Sequence, residues 1–169
     1  MTRQLLRDGR IVDDDWMYAA EISPDSSAPA DPSAADAVIL SLEQWLAERS
    51  KWLATGGRLG VVLLPAQKIE QLAADLPRFD LIAAEFPGPS EGRGYTQGRL
   101  LRERHRFQGE LRATGYVRRD QLFFLARCGF NSFELPANEL ASASGALAAF
   151  SAEYQPANDC GLTRKLHRR

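Results

Sequence analysis

The stretch Gly60-Val61-Val62-Leu63-Leu64 is a short, continuous apolar run that ends at Pro65, and Asp80-Leu-Ile-Ala-Ala-Glu-Phe86 ends in the same way at Pro87. Runs of this length closed by proline are typical of strands that are buried on both faces. The residues between them, 66–76, place apolar side chains at helical spacing and predict a helix. The two runs therefore predict a strand–helix–strand unit of a parallel sheet.

The same rhythm continues toward the C-terminus. Further strands are predicted over residues 110–117 and 130–135, and further helices over residues 95–105, 121–128 and 138–154. Four consecutive strand–helix units argue for an α/β domain with a parallel sheet and right-handed crossovers. Two architectures remain open, a half-barrel and an open doubly wound sheet, because the chain is too short for a complete eight-stranded barrel.

The N-terminal third does not follow this repeated strand–helix pattern. Apolar pairs flank Asp8-Gly9, which predicts a β-hairpin because glycine supplies the positive φ of such a turn. A segment rich in Pro, Ser, Ala and Asp then predicts a flexible linker, and a helix is expected over residues 41–54. The expected organisation is a hairpin segment at 1–22, a linker at 23–36, one α/β domain at 37–156 and a basic tail at 157–169.

Composition narrows the class of protein. The longest apolar runs are far too short to cross a membrane, the start has no signal-peptide pattern, and two cysteines do not make a disulfide scaffold. The cytoplasm is therefore the expected compartment. The net charge of −1 conceals a basic block, since residues 93–127 carry nine arginines and three acids. One local basic block suits an anionic ligand or an acidic partner better than nucleic acid.

The first candidate anion site is Ser90-Glu-Gly-Arg-Gly-Tyr95, between a predicted strand and a predicted helix. Gly92 and Gly94 would let backbone amides approach an anion, and Arg93 would supply a planar charged fork. The alternative is a simple turn with Arg93 in solvent. The nearby arginine stripe from Arg99 to Arg106 is typical of a solvated helix face.

A second group of charged residues lies at the predicted carboxyl ends of strands, where the ligand sites of parallel sheets form. Glu110 and Arg112 share one face of their strand and predict a buried ion pair, either structural or part of a site. Arg119 would add an anion-binding side chain, and Glu85 and Asp120 are the candidate acid–base residues. Asp120 is equally suited to capping the next helix. No metal spacing, flavin motif or catalytic Ser-His-Asp set is present in the sequence, so no cofactor is expected.

These residues also carry a resemblance. The runs Gly92-Arg-Gly-Tyr95, Gly109-Glu-Leu-Arg-Ala113, Arg119-Asp-Gln-Leu122 and Arg127-Cys-Gly-Phe130 resemble a bacterial family of unknown function. Its members are commonly encoded beside assimilatory sulfite reductase and are described as oxidoreductases of sulfite reduction. The resemblance implies a place in sulfur assimilation, but the family supplies no catalytic residues to transfer.

The leading hypothesis is an accessory protein of assimilatory sulfate and sulfite reduction. It would bind an oxyanion, a phosphorylated sulfur metabolite or a reductase partner. Arg93, Arg112 and Arg119 would hold the anion, and Glu85, Glu110 and Asp120 would orient them. The rival hypotheses are a half-barrel enzyme that uses Glu85 or Asp120 as its acid–base group and a pure protein-interaction module. A half-barrel or an open sheet with an exposed edge would favour a homodimer.

Overall fold

The structure is a computed structural model that describes residues 3–22, 36–143, 145 and 147. Its strands are β1 (Gln4–Arg7), β2 (Arg10–Asp13), β3 (Met17–Tyr18), β4 (Ala37–Ser41), β5 (Arg58–Leu63), β6 (Leu81–Phe86), β7 (Glu110–Gly115) and β8 (Ser132–Phe133). Its α-helices are α1 (Ala19–Ile22), α2 (Leu42–Leu53), α3 (Arg93–Glu103), α4 (Leu122–Arg127) and α5 (Ala137–Ala143). Single-turn 3-10 helices lie at Ile69–Gln71, Leu76–Arg78 and Arg119–Gln121.

The eight strands form one sheet in the order β2-β1-β8-β7-β6-β5-β4-β3. The strands from β3 to β8 pair in parallel. The hairpin pairs antiparallel within itself and adds to β8 in antiparallel fashion. The predicted α/β class and hairpin are therefore confirmed. The prediction of four parallel strand–helix units alone was wrong, because the hairpin joins the same sheet and two further parallel strands, β3 and β4, extend it.

The sheet is curled into an open half-barrel. Its two outermost strands, β2 and β3, are consecutive along the chain and are joined by residues 14–16 alone. Since adjacent Cα atoms are 3.8 Å apart, the four steps from Asp13 to Met17 can span at most about 15 Å. A flat sheet of eight strands at about 4.8 Å spacing would separate its edges by more than twice that distance. The short link therefore requires the curl.

The curl gives the sheet two different faces. The convex face carries the helices and the main apolar core, which includes Trp45, Trp52, Leu63, Phe86 and Phe133. The concave face carries a smaller apolar cluster of Trp16, Ala37, Ile39, Leu81 and Ala83. Because side chains alternate along a strand, β4, β5 and β6 each contribute to both clusters. This explains why the central strands read as continuous apolar runs.

Local sequence explains how α2 begins directly after β4. Ser41 accepts a hydrogen bond from the backbone amide of Gln44, and the Gln44 side chain accepts one from the amide of Ser41. This reciprocal arrangement is a capping box. It confirms the predicted helix. β4 was not predicted, because its four buried residues directly precede the helix pattern.

Two other predictions of local structure were wrong. A helix over residues 66–76 was wrong, since the segment forms two 3-10 turns that still bury Ile69, Leu72 and Leu76. Pro77 lacks an amide hydrogen and so cannot continue an α-helix there. Thr96 does not cap α3, which begins at Arg93 after Gly92. The linker, apart from Asp36, the end of the last predicted helix and the basic tail lie outside the described residues.

Gly94 in α3 shows how tightly this helix packs on β6. A Cβ atom built at Gly94 would lie 2.5 Å from the ring of Phe86. That ring is 1% exposed and makes edge contacts with the rings of Tyr95 and Phe130. The absence of a side chain at Gly94 is therefore a packing requirement of the α3–β6 contact.

We expect Gly94→Ala to lower the free energy of unfolding by about 1–3 kcal/mol, because the added methyl group must displace a ring that is held on two sides. Urea denaturation followed by circular dichroism measures the change. Gly88→Ala is the matched control, since a Cβ atom there meets nothing within 4 Å. Equal stability of the two variants would contradict the packing requirement.

Candidate functional site

The parallel strands bring polar side chains together at their carboxyl ends, on the concave side of the sheet. Tyr18 ends β3, Glu85 and Thr114 are Cα partners on β6 and β7, and Glu134 follows β8. We call these four residues the rim. The Tyr18 hydroxyl donates a hydrogen bond to Glu134 Oε1 at 2.9 Å and lies 3.4 Å from Thr114 Oγ1. Thr114 donates to Glu134 Oε2 at 2.7 Å.

Below the rim lies a fully buried arginine. Arg112 is 0% exposed, and its guanidinium donates to carboxylate oxygens from three separate parts of the chain. The distances are 2.9 and 3.0 Å to the two oxygens of Asp14, 2.9 and 3.0 Å to Glu110 Oε1, and 3.1 Å to Glu134 Oε1. We call Arg112 with these three carboxylates the interior network. It joins the β2–β3 link to β7 and β8.

Two further arginines extend the interior network toward the hairpin. Arg3 donates to Asp14 Oδ2 at 2.9 Å and to the backbone oxygen of Trp16 at 3.2 Å. Its guanidinium also lies over the ring of Tyr18, 5.0 Å from the ring centre. Arg7 donates to Glu110 Oε2 at 3.2 Å. These contacts attach the two ends of the β1 segment to the β2–β3 link and to β7.

Burial and neighbouring charges determine the protonation states of Arg112 and Tyr18. Burial opposes the charge on Arg112, but the hydrogen bonds with Asp14 and the charges of Glu110, Asp14 and Glu134 outweigh burial, so the pKa of Arg112 is raised above its usual value. Burial, followed by the negative charge of Glu134, raises the pKa of Tyr18. Arg112 is therefore a permanent cation, and Tyr18 is a neutral phenol that donates its proton in a hydrogen bond.

The structure places the two acidic residues predicted on the central strands on the concave face. Glu110 lies in the interior network, where its Oε1 accepts hydrogen bonds from Arg112. Glu85 lies at the rim with a partly buried side chain. The predicted ion pair between Glu110 and Arg112 is therefore present, and its arginine is enclosed by protein.

Arg93 and its glycines lie elsewhere, at the start of α3. The side chain of Arg93 is 63% exposed and makes a two-point contact with Glu91, at 2.9 and 2.8 Å. Hydrogen bonds from Arg93 lower the pKa of Glu91 to about 2. Gly92 is exposed, with no atom within 4 Å of a Cβ atom built there, whereas Gly94 packs on Phe86. Arg93 and the buried Arg112 thus occupy opposite kinds of environment.

Arg119 and Asp120 are exposed in the 3-10 turn that follows β7. The backbone amide of Arg119 donates to Glu139 Oε2, and the Arg118 side chain donates to the other oxygen of Glu139 at 2.7 Å. The cap before this turn is made by Gln121, whose side chain accepts from the Arg118 amide. The expectation that Asp120 caps the following helix was therefore wrong.

The outer surface after β7 combines arginine with aromatic side chains. Phe124 is 63% exposed and stacks edge-on with Phe123, while Arg127 lies over the ring of Phe123. Arg118 lies over the ring of Tyr116, 4.9 Å from its centre. We call this the arginine–aromatic surface, and its members are Tyr116, Arg118, Arg119, Phe123, Phe124 and Arg127.

Asp14 in the interior network and Tyr18 at the rim were not predicted from the sequence. Asp14 sits in a run of three aspartates and looked like part of a solvated segment. One signal was available, because Asp14 and Trp16 are spaced as same-face residues of an extended chain, and Trp16 is apolar. Nothing local indicated that Tyr18 would meet Glu134, which is 116 residues away.

Comparison with protein families places the chain. Residues 60–163 match the model of a family described as bacterial protein of unknown function (DUF934). The chain belongs to this family. The matched segment runs from β5 through α5 and includes Arg112, Glu134 and the arginine–aromatic surface. A search of curated proteins found no match.

The described residues contain neither a membrane-spanning helix nor a metal-binding group of side chains. No helix there is long and apolar enough to span a membrane. No group of three or more His, Cys, Asp or Glu side chains in the same residues is arranged to hold a metal ion.

The interior network predicts that Asp14 contributes much more to stability than the adjacent Asp15. We expect Asp14→Asn to lower the free energy of unfolding by about 3 kcal/mol, since it removes a buried charge partner of Arg112. Asp15→Asn is the matched control, because Asp15 is exposed and pairs on the surface with Arg58, where such pairs contribute about 0–1 kcal/mol. Urea denaturation of both variants makes the comparison, and similar losses would contradict a buried role for Asp14.

The raised pKa of Tyr18 predicts that the stability of the protein depends on pH. A phenol whose pKa is raised by folding stays protonated when the unfolded chain ionises, so the contribution of Tyr18 to stability falls as the pH rises above about 10. The tyrosinate absorbance of the native protein should show one ionisation above this pH that Tyr18→Phe removes. If Tyr18→Phe instead removed an ionisation near pH 10, Tyr18 would not be held by Glu134.

Proposed function

We propose that this protein is an accessory protein of assimilatory sulfate and sulfite reduction that docks an acidic partner protein through its arginine–aromatic surface. The observation that carries the docking proposal is Phe124, a large aromatic side chain that is 63% exposed on α4. Its ring contacts the ring of Phe123, over which Arg127 lies. The pathway is supported by the resemblance to proteins encoded beside sulfite reductase.

The chemistry of the surface favours a protein partner. Tyr, Phe and Arg are enriched at protein interfaces, where a buried aromatic anchor supplies much of the binding energy. Arg118 is already positioned by Glu139, which reduces the conformational entropy lost when a partner binds. The arginines of the surface are complementary to carboxylates, so the partner segment should be acidic with an apolar pocket for Phe124.

The positions of the predicted anion-binding arginines favour docking over a closed oxyanion site. Arg112 is saturated by three carboxylates, and Arg93 is paired with Glu91 in solvent. Arg119 is the remaining member, and it lies on the arginine–aromatic surface. Of the three predicted anion-binding arginines, only Arg119 thus lies exposed without a side-chain ion pair among the described residues.

Binding to purified assimilatory sulfite reductase tests the proposal, with biolayer interferometry as the measurement. Phe124→Ala and Arg119→Glu should each weaken binding at least tenfold, which corresponds to about 1.4 kcal/mol. Salt at about 0.5 M should weaken binding by the native protein, because it screens surface charge. Arg78→Glu is the control, since Arg78 is an exposed arginine that precedes β6 and so lies at the opposite end of the sheet.

Two results would overturn the proposal. One is the absence of binding to the reductase. The other is equal binding by Arg78→Glu and Arg119→Glu, which would show that net charge rather than this surface governs association. Circular dichroism of each variant confirms that loss of binding is not loss of folding.

A further inference from the structure

Glu85 at the rim is a carboxylate in an unusual setting. It lies on a central strand, is partly buried and is the Cα partner of Thr114. Among the described residues its carboxylate has neither a hydrogen-bond donor nor a salt-bridge partner, whereas the neighbouring Glu134 has three donors. A partly desolvated carboxylate without a partner costs free energy that a bound cation can recover.

The charges around Glu85 determine whether this face favours a cationic or an anionic ligand. The interior network and its two arginine neighbours comprise three guanidinium groups and three carboxylates, from Arg3, Arg7, Arg112, Asp14, Glu110 and Glu134. Those six charges balance. Arg3 also pairs with Glu21, so Glu21 and Glu85 leave this set of charges net negative, which favours a cation and disfavours an oxyanion.

Apolar side chains lie beside this carboxylate. Val62 on β5 packs against the concave apolar cluster and is partly exposed, and Val62 is the Cα partner of Ala83, two residues before Glu85. Leu64, two residues farther along than Val62, is 42% exposed. Exposed aliphatic surface next to an unpaired carboxylate is the combination that an alkylammonium ion requires.

A second observation independently indicates a missing polar partner on this face. The hydroxyl of Ser132 is buried, with the residue 0% exposed, and has no hydrogen-bond partner among the described residues. Ser132 is two residues before Glu134 and is the Cα partner of Arg112, so it faces the same concave side. Buried hydroxyls are normally satisfied by protein or water. Because Ser132 is fully enclosed below the rim, a buried water, and not the ligand itself, would supply this partner.

We propose that the rim binds the ammonium group of a small organic amine. The Glu85 carboxylate pairs with the ammonium group, the Thr114 hydroxyl beside it accepts a hydrogen bond, and Val62 and Leu64 contact the hydrocarbon part of the ligand. The Tyr18–Glu134–Arg112 contacts hold the opposite wall. This site is separate from the arginine–aromatic surface, so either can fail without the other.

The experiment is a titration of the full chain, labelled with nitrogen-15, with n-butylammonium chloride, followed by two-dimensional NMR. We expect saturable shifts of the backbone amides of Glu85, Thr114 and Glu134. Sodium butyrate and 1-butanol, which have the same carbon chain with a negative charge and with no charge, should not produce them. Glu85→Gln should weaken n-butylammonium binding at least tenfold.

The matched control is Glu70→Gln, which makes the same change of net charge at an exposed carboxylate on the outer side of the molecule. Its affinity for n-butylammonium should equal that of the native protein. Equal shifts with 1-butanol would overturn the proposal by showing apolar binding alone. Equal affinities of Glu85→Gln and Glu70→Gln would also overturn it, and the spectra of the unliganded variants show that both are folded.

Discussion

A single buried charge, Arg112, holds the two ends of the curled sheet together. Its guanidinium sits on β7 and reaches the β2–β3 link through Asp14 and the segment after β8 through Glu134. A buried guanidinium is tolerated only where carboxylates surround it with good geometry. The curl of the sheet, the position of the hairpin and the arrangement of the rim all depend on that requirement being met.

This constraint also explains how the basic block of the sequence divides. Arg112 is enclosed and neutralised by carboxylates, many of the other arginines of the block remain on the outer surface, and the charges around Glu85 are left net negative. The same nearly neutral chain therefore presents surfaces of opposite sign. A positive outer surface suits an acidic protein, and a negative inner rim suits a small cation.

The placement of both surfaces follows from parallel strand topology. Parallel strands deliver their carboxyl ends to one edge, and the loops after β6 and β7 carry the exposed arginines while the concave positions just before them carry the rim. Tyr18 joins this edge only because β3 is parallel to β4. The fold thus brings Tyr18 of β3 and Glu134, which follows β8, into one site.

The sequence by itself determined the α/β class, the hairpin at Asp8-Gly9, most central strands and the Glu110–Arg112 pair, because these follow from local periodicity and turn chemistry. Tertiary structure alone decided that Asp14 is buried, that Tyr18 meets Glu134 and that the hairpin joins the parallel strands. Those outcomes depend on contacts between residues about 100 positions apart. Local patterns carry no information about which distant carboxylate will neutralise a buried arginine, so only the curled sheet reveals it.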